Sequence, residues 1–365
     1  MTIGVATFLV GLQLAALAAA QPPAEPVPAV PVEVVLYSDF QCPFCAQFAG
    51  PFRTLQTKGV AGAEVTVLFK HFPLTAIHPA APLAHQAAQA AKEQGKFWEM
   101  HDLLFANQRQ AQRADLLGYA ASLKLDMARF ENDMDGAAVK QAIAADLAAG
   151  NAAGITGTPS YTINGKMYSG TRPLDQIEKL IVGERRVARA LAEVSETAMA
   201  KGPVGAPVTL ELFADLQSPV SAPTVDVIDQ LLARYPSDVR LQFRNFPLAF
   251  HPQAALAHEA AMTAARYGRF WEFATFILSR QDSLREQDLI AHAGRLGLDA
   301  AEFAATLREH RYAPRVDADL TAARNRGIRG SPALLINGKK IDGVPSLQML
   351  VAQVEAALAE KPAAK

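Results

Sequence analysis

Two halves of this chain repeat one another, and that repeat restricts what it can fold into more than any other feature. Trp98 in Lys-Phe-Trp-Glu is matched by Trp271 in Arg-Phe-Trp-Glu, 173 positions on. Pro159 in Gly-Thr-Pro and Pro332 in Gly-Ser-Pro keep that spacing, as do Asn164-Gly165-Lys166 and Asn337-Gly338-Lys339. Pro73 and Pro247, each in Phe-Pro-Leu, stand 174 apart, and residues 39–45 align with 215–221 at an offset of 176. Such a small drift means one domain duplicated with a few single-residue gaps. Each copy must then bury its own core, and 365 residues with 50% hydrophobic content suffice for two. The copies are expected over 32–191 and 207–360, joined by 192–206.

Within the first copy, 32–37 reads as an apolar strand, 46–58 as a helix and 63–69 as a second strand. Helical patterns follow over 83–92, 97–107, 115–124, 127–133 and 137–149. Gly154, Gly157 and Pro159 break the pattern ahead of strands at 161–163 and 166–168. These flank Asn164-Gly165, the dipeptide of a type I′ hairpin. A helix over 173–191 closes the unit.

The chain holds two cysteines, Cys42 and Cys45, in Asp39-Phe40-Gln41-Cys42-Pro43-Phe44-Cys45. They sit where a strand gives way to a helix. That places the first sulfur beside the unbonded N–H groups of a helical first turn, which favour a thiolate. Pro43 suits the first turn because its missing N–H would have had no partner there. Two sulfurs three residues apart can also close on each other. A zinc site would need a second cysteine pair or a paired-histidine partner, and neither is present. An inert structural disulfide would need neither Pro43 nor a helix start. Redox cycling accounts for all these features.

The second copy carries the counterpart Asp215-Leu216-Gln217-Ser218-Pro219-Val220-Ser221. Both sulfurs have become hydroxyls, so this copy is expected to be redox-dead. Since the aspartate persists without sulfur, Asp39 and Asp215 are read chiefly as helix-start caps, with tuning of thiol protonation as a lesser role for Asp39.

A net charge of −1 gives no electrostatic case for nucleic acid or an anionic membrane. Residues 3–20 form an apolar run closing on Ala18-Ala19-Ala20, so that 1–20 reads as a signal peptide cleaved before Gln21. It lacks a basic start, and an uncleaved membrane anchor is the competing reading. The proline-rich stretch 21–31 is a spacer. Export to a periplasmic or other extracytoplasmic space suits a thiol pair that is to be oxidised.

Taken together, Tyr-x-Asp-Phe-x-Cys-Pro-x-Cys, Phe-Pro-Leu, a helical stretch with Phe-Trp-Glu, and Gly-Thr-Pro before an Asn-Gly hairpin resemble the DsbA-type thiol:disulfide oxidoreductases. The resemblance runs nearly end to end through each half. It implies an α/β protein of two tandem thioredoxin-like domains, each with a helical subdomain inserted between the second strand and the final hairpin. It also implies a cis peptide between Thr158 and Pro159, beside the cysteines, with the Thr158 backbone free to pair with an extended substrate. Cys42 would be the attacked and leaving sulfur, Cys45 the buried resolving thiol, and Asp39, Pro43 and Phe44 the supporting motif. No cofactor and no metal are implied. The partners implied are unfolded or cysteine-containing exported proteins and a membrane quinone-linked or other redox partner.

Phe44 departs from the strongest oxidants of the family, which have histidine there, so a milder oxidant is expected. Reductase or isomerase duty on the same scaffold stays open, as does a peptide-holding role for the second copy. The remaining conspicuous residues read as structural. His78 and His251 are assigned to packing or capping and Trp98 and Trp271 to the core; His71 is likewise read chiefly as structural, with an approach to the cysteines from its place after a central strand as the lesser reading.

Overall fold

Strand β1 (Val32–Ser38) is the spine of the first copy, with Val32, Val34 and Leu36 turned into the core and Glu33 outward. The structure is a computed structural model and describes residues 30–60, 64–341 and 345–360. The expected signal peptide and nearly all of the spacer lie outside the described residues. The chain divides into two compact units, Pro28–Arg189 and the residues from Ala190 onward.

After β1 come α1 (Pro43–Lys58), β2 (Val65–His71), α2 (Ala81–Lys92), α3 (Phe97–Ala106), α4 (Arg113–Ser122), α5 (Met127–Asp135) and α6 (Ala137–Ala152). Strands β3 (Ser160–Ile163) and β4 (Lys166–Ser169) and helix α7 (Leu174–Glu193) complete the run. Sheet order is β2-β1-β3-β4, with β1 parallel to β2 and antiparallel to β3. Leu36 thus faces Phe69 on one side and Tyr161 on the other. The hairpin turn has Asn164 at φ 48° and Gly165 at φ 81°, the pair of positive angles a type I′ turn needs. Asn164 also pins the hairpin to β1: its Oδ1 accepts from Glu33 N at 3.0 Å, and its own N–H donates to Glu33 O at 2.9 Å.

Helix α1 begins three residues earlier than the apolar pattern indicates, because Pro43 opens it without forfeiting a hydrogen bond. It also carries Pro51 in its interior without ending there. Its buried face, Cys45, Phe48, Phe52 and Leu55, packs with Tyr161, Ile163, Ile177 and Ile181 beneath the sheet. A separate core lies within the helical insert α2–α6 and includes Met100, Leu104, Leu116, Phe130 and Met134. Phe40, just ahead of the cysteines, belongs to this second core. Its ring stacks on Phe69 at 5.2 Å and meets Phe105 at 5.0 Å.

The second unit repeats the plan, with β6 (Val208–Ala214), α8 (Ser221–Arg234), β7 (Val239–Asn245), the helical insert α9–α13 (residues 254–325), β8 (Ala333–Ile336), β9 (Lys339–Ile341) and α14 (Leu347–Ala359). The joint expected over 192–206 is not a plain linker. It forms a short 3-10 helix (Glu196–Met199) and strand β5 (Ala200–Lys201). Strand β5 pairs antiparallel with β7, so the second sheet has five strands, β5-β7-β6-β8-β9. Backbone groups of a connector that runs alongside a sheet edge find partners there, and composition alone does not reveal that.

The tryptophans, expected as core anchors, lie at the core's boundary, with Trp271 packed against the core of the second unit. Both are half-buried under cations: Arg53 lies 5.2 Å from the Trp98 ring centroid and Lys201 Nζ 4.3 Å from that of Trp271. Trp271 Nε1 donates to Ala200 O at 3.2 Å, which ties the joint to the insert. An indole has a polar edge and an electron-rich face, so a wet boundary suits it.

Candidate active site

Strand β1 ends by delivering Ser38 and Asp39 to a tight turn, and α1 starts at once. Cys42 is the N-cap residue of α1, with extended φ −72°, ψ 122°. Its N–H donates to Asp39 O at 3.1 Å, and its carbonyl accepts the helix's first bond, from Ala46 N at 3.2 Å. Cys45 lies in the first turn, 3.6 Å from Cys42, and both are free thiols. Both are buried, at 4% exposure for Cys42 and 1% for Cys45. Phe44 between them is 58% exposed, so the motif shows solvent an apolar ring and a sliver of sulfur.

The two thiols are electrostatically unequal. Cys42 is lowered to about 5, chiefly by a hydrogen bond from the Cys45 thiol, with the N–H groups of Cys45 and Phe44 adding to it against burial. Cys45 is pushed far up, first by burial and then because its proton is shared with the Cys42 sulfur. One proton bridges the pair, and the first anion resides on the sulfur at the helix mouth. The N–H of Asp39 points at Cys45 Sγ over 3.5 Å, and Ser38 adds a hydroxyl near it. Sequence reasoning passed over Ser38. The signal was in the repeat, where its counterpart in the cysteine-free copy is Ala214.

Thr158 and Pro159 sit where the resemblance implied. The Thr158–Pro159 peptide is cis, as is Ser331–Pro332 in the other copy. Cys42 Sγ lies 3.5 Å from Thr158 O, across 116 residues of sequence. The Thr158 hydroxyl is buried with no oxygen or nitrogen partner.

Asp39 is not a helix cap. The caps of α1 and α8 are Cys42 and Val220, and neither is satisfied by a side chain. Instead Asp39, fully buried, ties the motif turn to the loop after β2. Its Oδ1 accepts from Gln41 N at 2.7 Å, and its Oδ2 accepts from Leu74 N at 2.6 Å and meets His78 Nδ1 at 2.9 Å. Asp215 makes the same three contacts with Gln217, Leu248 and His251 at 2.7, 2.8 and 2.7 Å. Gln41 Oε1 accepts from Ala80 N at 2.8 Å, and Gln217 Oε1 from Gln253 N at 2.9 Å. Aspartate, glutamine and histidine persist without sulfur because their work is on the backbone. Asp39→Ala is expected to cost the first unit about 3–5 kcal/mol, since it strands two N–H groups and a histidine. Urea denaturation measures this, and a loss under about 1 kcal/mol would contradict the assignment.

His71 does not approach the cysteines. Both of its ring nitrogens are taken up elsewhere, with Nδ1 2.7 Å from His85 Nδ1 and Nε2 3.1 Å from Gln89 Oε1, and burial lowers it to about 4. Gln108, from the turn between α3 and α4, was not singled out by the motif. Its amide donates to Phe40 O at 2.8 Å and Cys42 O at 2.9 Å.

In the second unit the helix mouth itself recedes. Helix α8 opens only at Ser221, whereas Pro219 is the counterpart of Pro43. Pro223 explains this, because a proline without an N–H is tolerated in a first turn and would break the ladder of a longer helix there. Ser218 therefore lacks both sulfur and a helix N-terminus, and Ser221 is buried with an unpartnered hydroxyl.

Comparison with known proteins agrees with this geometry. A family described as thioredoxin matches residues 27–182, and the DSBA-like thioredoxin domain matches 209–355. Among curated proteins, a Na(+)/H(+) antiporter NhaA of Salinispora tropica is 39% identical over 163 residues, covering 45% of this chain and 24% of that protein. Another, from Herminiimonas arsenicoxydans, is 34% identical over 156 residues, 43% of this chain and 24% of its own length. The chain thus spans about a quarter of the length of these relatives. Among solved structures, a thioredoxin-like oxidoreductase from Silicibacter pomeroyi is 26% identical with a TM-score of 0.39, over 44% of this chain and 90% of that one. Oxidised BdbD from Bacillus subtilis is 21% identical with a TM-score of 0.41, over 45% and 95% respectively. With both halves matched in sequence and both folded around the same sheet and helical insert, the chain is built of two thioredoxin-like domains of the DsbA type, the second matching the DSBA-like thioredoxin domain itself.

Proposed function

We propose that this chain exchanges disulfides with cysteine-containing exported proteins, in the oxidising direction, through Cys42 and Cys45. The observation that carries this reading is the geometry of the pair: two free thiols 3.6 Å apart, Cys42 at the mouth of α1 beside the Thr158 carbonyl and Cys45 enclosed behind it, an arrangement that lowers Cys42 and keeps the proton on Cys45. In the disulfide form a substrate thiolate attacks Cys42 Sγ. The S–S bond breaks toward Cys45, and a mixed disulfide forms. A second substrate thiolate then attacks the substrate sulfur and expels Cys42 as a thiolate. Two electrons pass from substrate to protein, and both cysteines end reduced. A leaving group stabilised as an anion favours that end state, which is what makes a disulfide oxidising.

The Thr158 backbone edge beside Cys42 suits an extended substrate strand. The apolar run over 3–20 supports export, and a membrane quinone-linked partner is the class of oxidant that would restore the disulfide. The cysteine-free unit takes no part in electron transfer, since the chain's two cysteines both lie in the first.

Equilibration with reduced and oxidised glutathione tests the direction. A potential well above the glutathione couple is expected. A potential well below it would assign the chain to reduction or isomerisation instead.

A further inference from the structure

We propose that Gln108 is a positioning residue for the exchange reaction: its side-chain amide holds the two carbonyls that frame Cys42 and so governs how readily that sulfur attacks and leaves. The inference rests on Cys42 being the exchanging sulfur.

The turn at 39–42 is held largely by its own side chains and backbone. Asp39 takes the N–H groups of Gln41 and Cys42, and the Gln41 side chain takes Ala80 N. Among the described residues no backbone donor reaches Phe40 O, and the one that reaches Cys42 O is the helix bond from Ala46 N. A single nitrogen, Gln108 Nε2, reaches both, at 2.8 and 2.9 Å, each of its two protons directed to one oxygen. No other neutral side chain but asparagine offers two such donors on one planar nitrogen. The negative end of one of those carbonyl dipoles lies on the residue whose sulfur must carry charge, and that of the other lies two residues before it. Covering them with N–H donors reduces the repulsion an anion there experiences, and it holds the Cys42 backbone at the helix mouth.

The turn that delivers Gln108 is itself braced. Gln110 N donates to Asn107 O at 2.8 Å, Asn107 Nδ2 to Leu103 O at 2.9 Å, and Tyr119 Oη to Gln110 O at 2.9 Å. The helical insert thus reaches the reactive turn through this amide as well as through the packing of Phe40.

The second copy supplies an independent instance. Gln281, 173 positions on, donates to Leu216 O at 3.0 Å and Ser218 O at 2.6 Å. The contact is therefore built for a carbonyl pair, whatever the side chain at 42 or 218. Its chemical consequence arises only where that side chain is a thiol.

The test uses the full-length reduced chain and the ultraviolet absorbance of the thiolate, titrated with pH. Gln108→Leu removes both donors at nearly constant volume. It is expected to raise the Cys42 midpoint by about one pH unit and move the equilibrium with glutathione about tenfold toward the disulfide. Gln108→Asn, one methylene short, shifts both in the same direction by less, and it decides the matter should the leucine variant not fold. Gln281→Leu, in the cysteine-free unit, leaves both unchanged. A wild-type chain without an acidic thiolate overturns this proposal and the assignment of Cys42 together. An acidic wild-type thiolate that neither Gln108 variant moves, even with a lowered melting temperature, overturns the clamp alone and leaves Gln108 a merely structural residue. An equal shift from Gln281→Leu overturns it as well.

Discussion

Cys45→Ser accumulates stable mixed disulfides with thiol-bearing proteins, whereas Cys42→Ser forms none and loses exchange activity by about a thousandfold or more. The asymmetry follows from where each sulfur sits. Cys42 stands at the open end of α1, beside the Thr158 carbonyl and the exposed ring of Phe44. Its anion is favoured by a hydrogen bond from residue 45. A serine at 45 keeps a hydroxyl to donate, so Cys42 remains a thiolate and still attacks a substrate disulfide. What the variant lacks is the sulfur, 3.6 Å away, that would resolve the adduct. The converse variant leaves a lone thiol that is enclosed at 1% exposure and pushed far up by burial, so it neither ionises nor meets a substrate. Non-reducing electrophoresis of each variant after incubation with a reduced-and-oxidised protein mixture reads the result. Equal trapping by the two variants would falsify the division of labour.

The second large effect is on how stability depends on pH. Cys42 is lowered from 9.0 to about 5 in the folded dithiol form. A depressed thiol stabilises the fold above its unfolded value, and that stabilisation is lost as the pH falls through the folded value. The reduced chain should therefore gain stability relative to the oxidised chain as the pH rises from about 5 to about 9. The slope is at most about 1.4 kcal/mol per pH unit, the limit for one proton. Above that window the unfolded chain also loses the Cys45 proton, which the folded chain retains, and the gain reverses. Every carboxylate and histidine is common to both redox forms, so the difference between paired urea melts isolates the thiols. A difference that stays flat between pH 5 and 9 would mean that Cys42 is not selectively ionised.

Much of this was legible without coordinates, and for identifiable reasons. The duplication is arithmetic on residue positions. The five helices of the first insert follow from apolar spacing. The hairpin follows from Asn164-Gly165, since few other dipeptides tolerate two positive φ angles. The helix mouth at Cys42 follows from a proline behind an extended residue. Assignments that depended on what a side chain touches fared differently. Asp39 read as a cap because the aspartate persists before the helix of the copy that has no sulfur. In the fold its carboxylate is taken by Leu74 and His78, more than thirty residues away. His71 read chiefly as structural, with an approach to the cysteines as the lesser reading, and only the fold shows that its partners are His85 and Gln89. The tryptophans lie at the boundary of the core, each with a cation from a neighbouring element over its ring.

By itself the sequence determined that one fold is present twice, that sulfur chemistry belongs to the first copy alone, and that Cys42 stands at a helix start. Local interactions decide all three: periodicity, proline's missing N–H, and residue identity. Tertiary structure alone decided that the Thr158 carbonyl and the Gln108 amide converge on Cys42, from 116 and 66 residues away, and that Cys45 lies buried with its proton shared. The inequality of the two thiols comes from burial and from donors brought in by distant loops, and neither is a property of residues near one another in the chain.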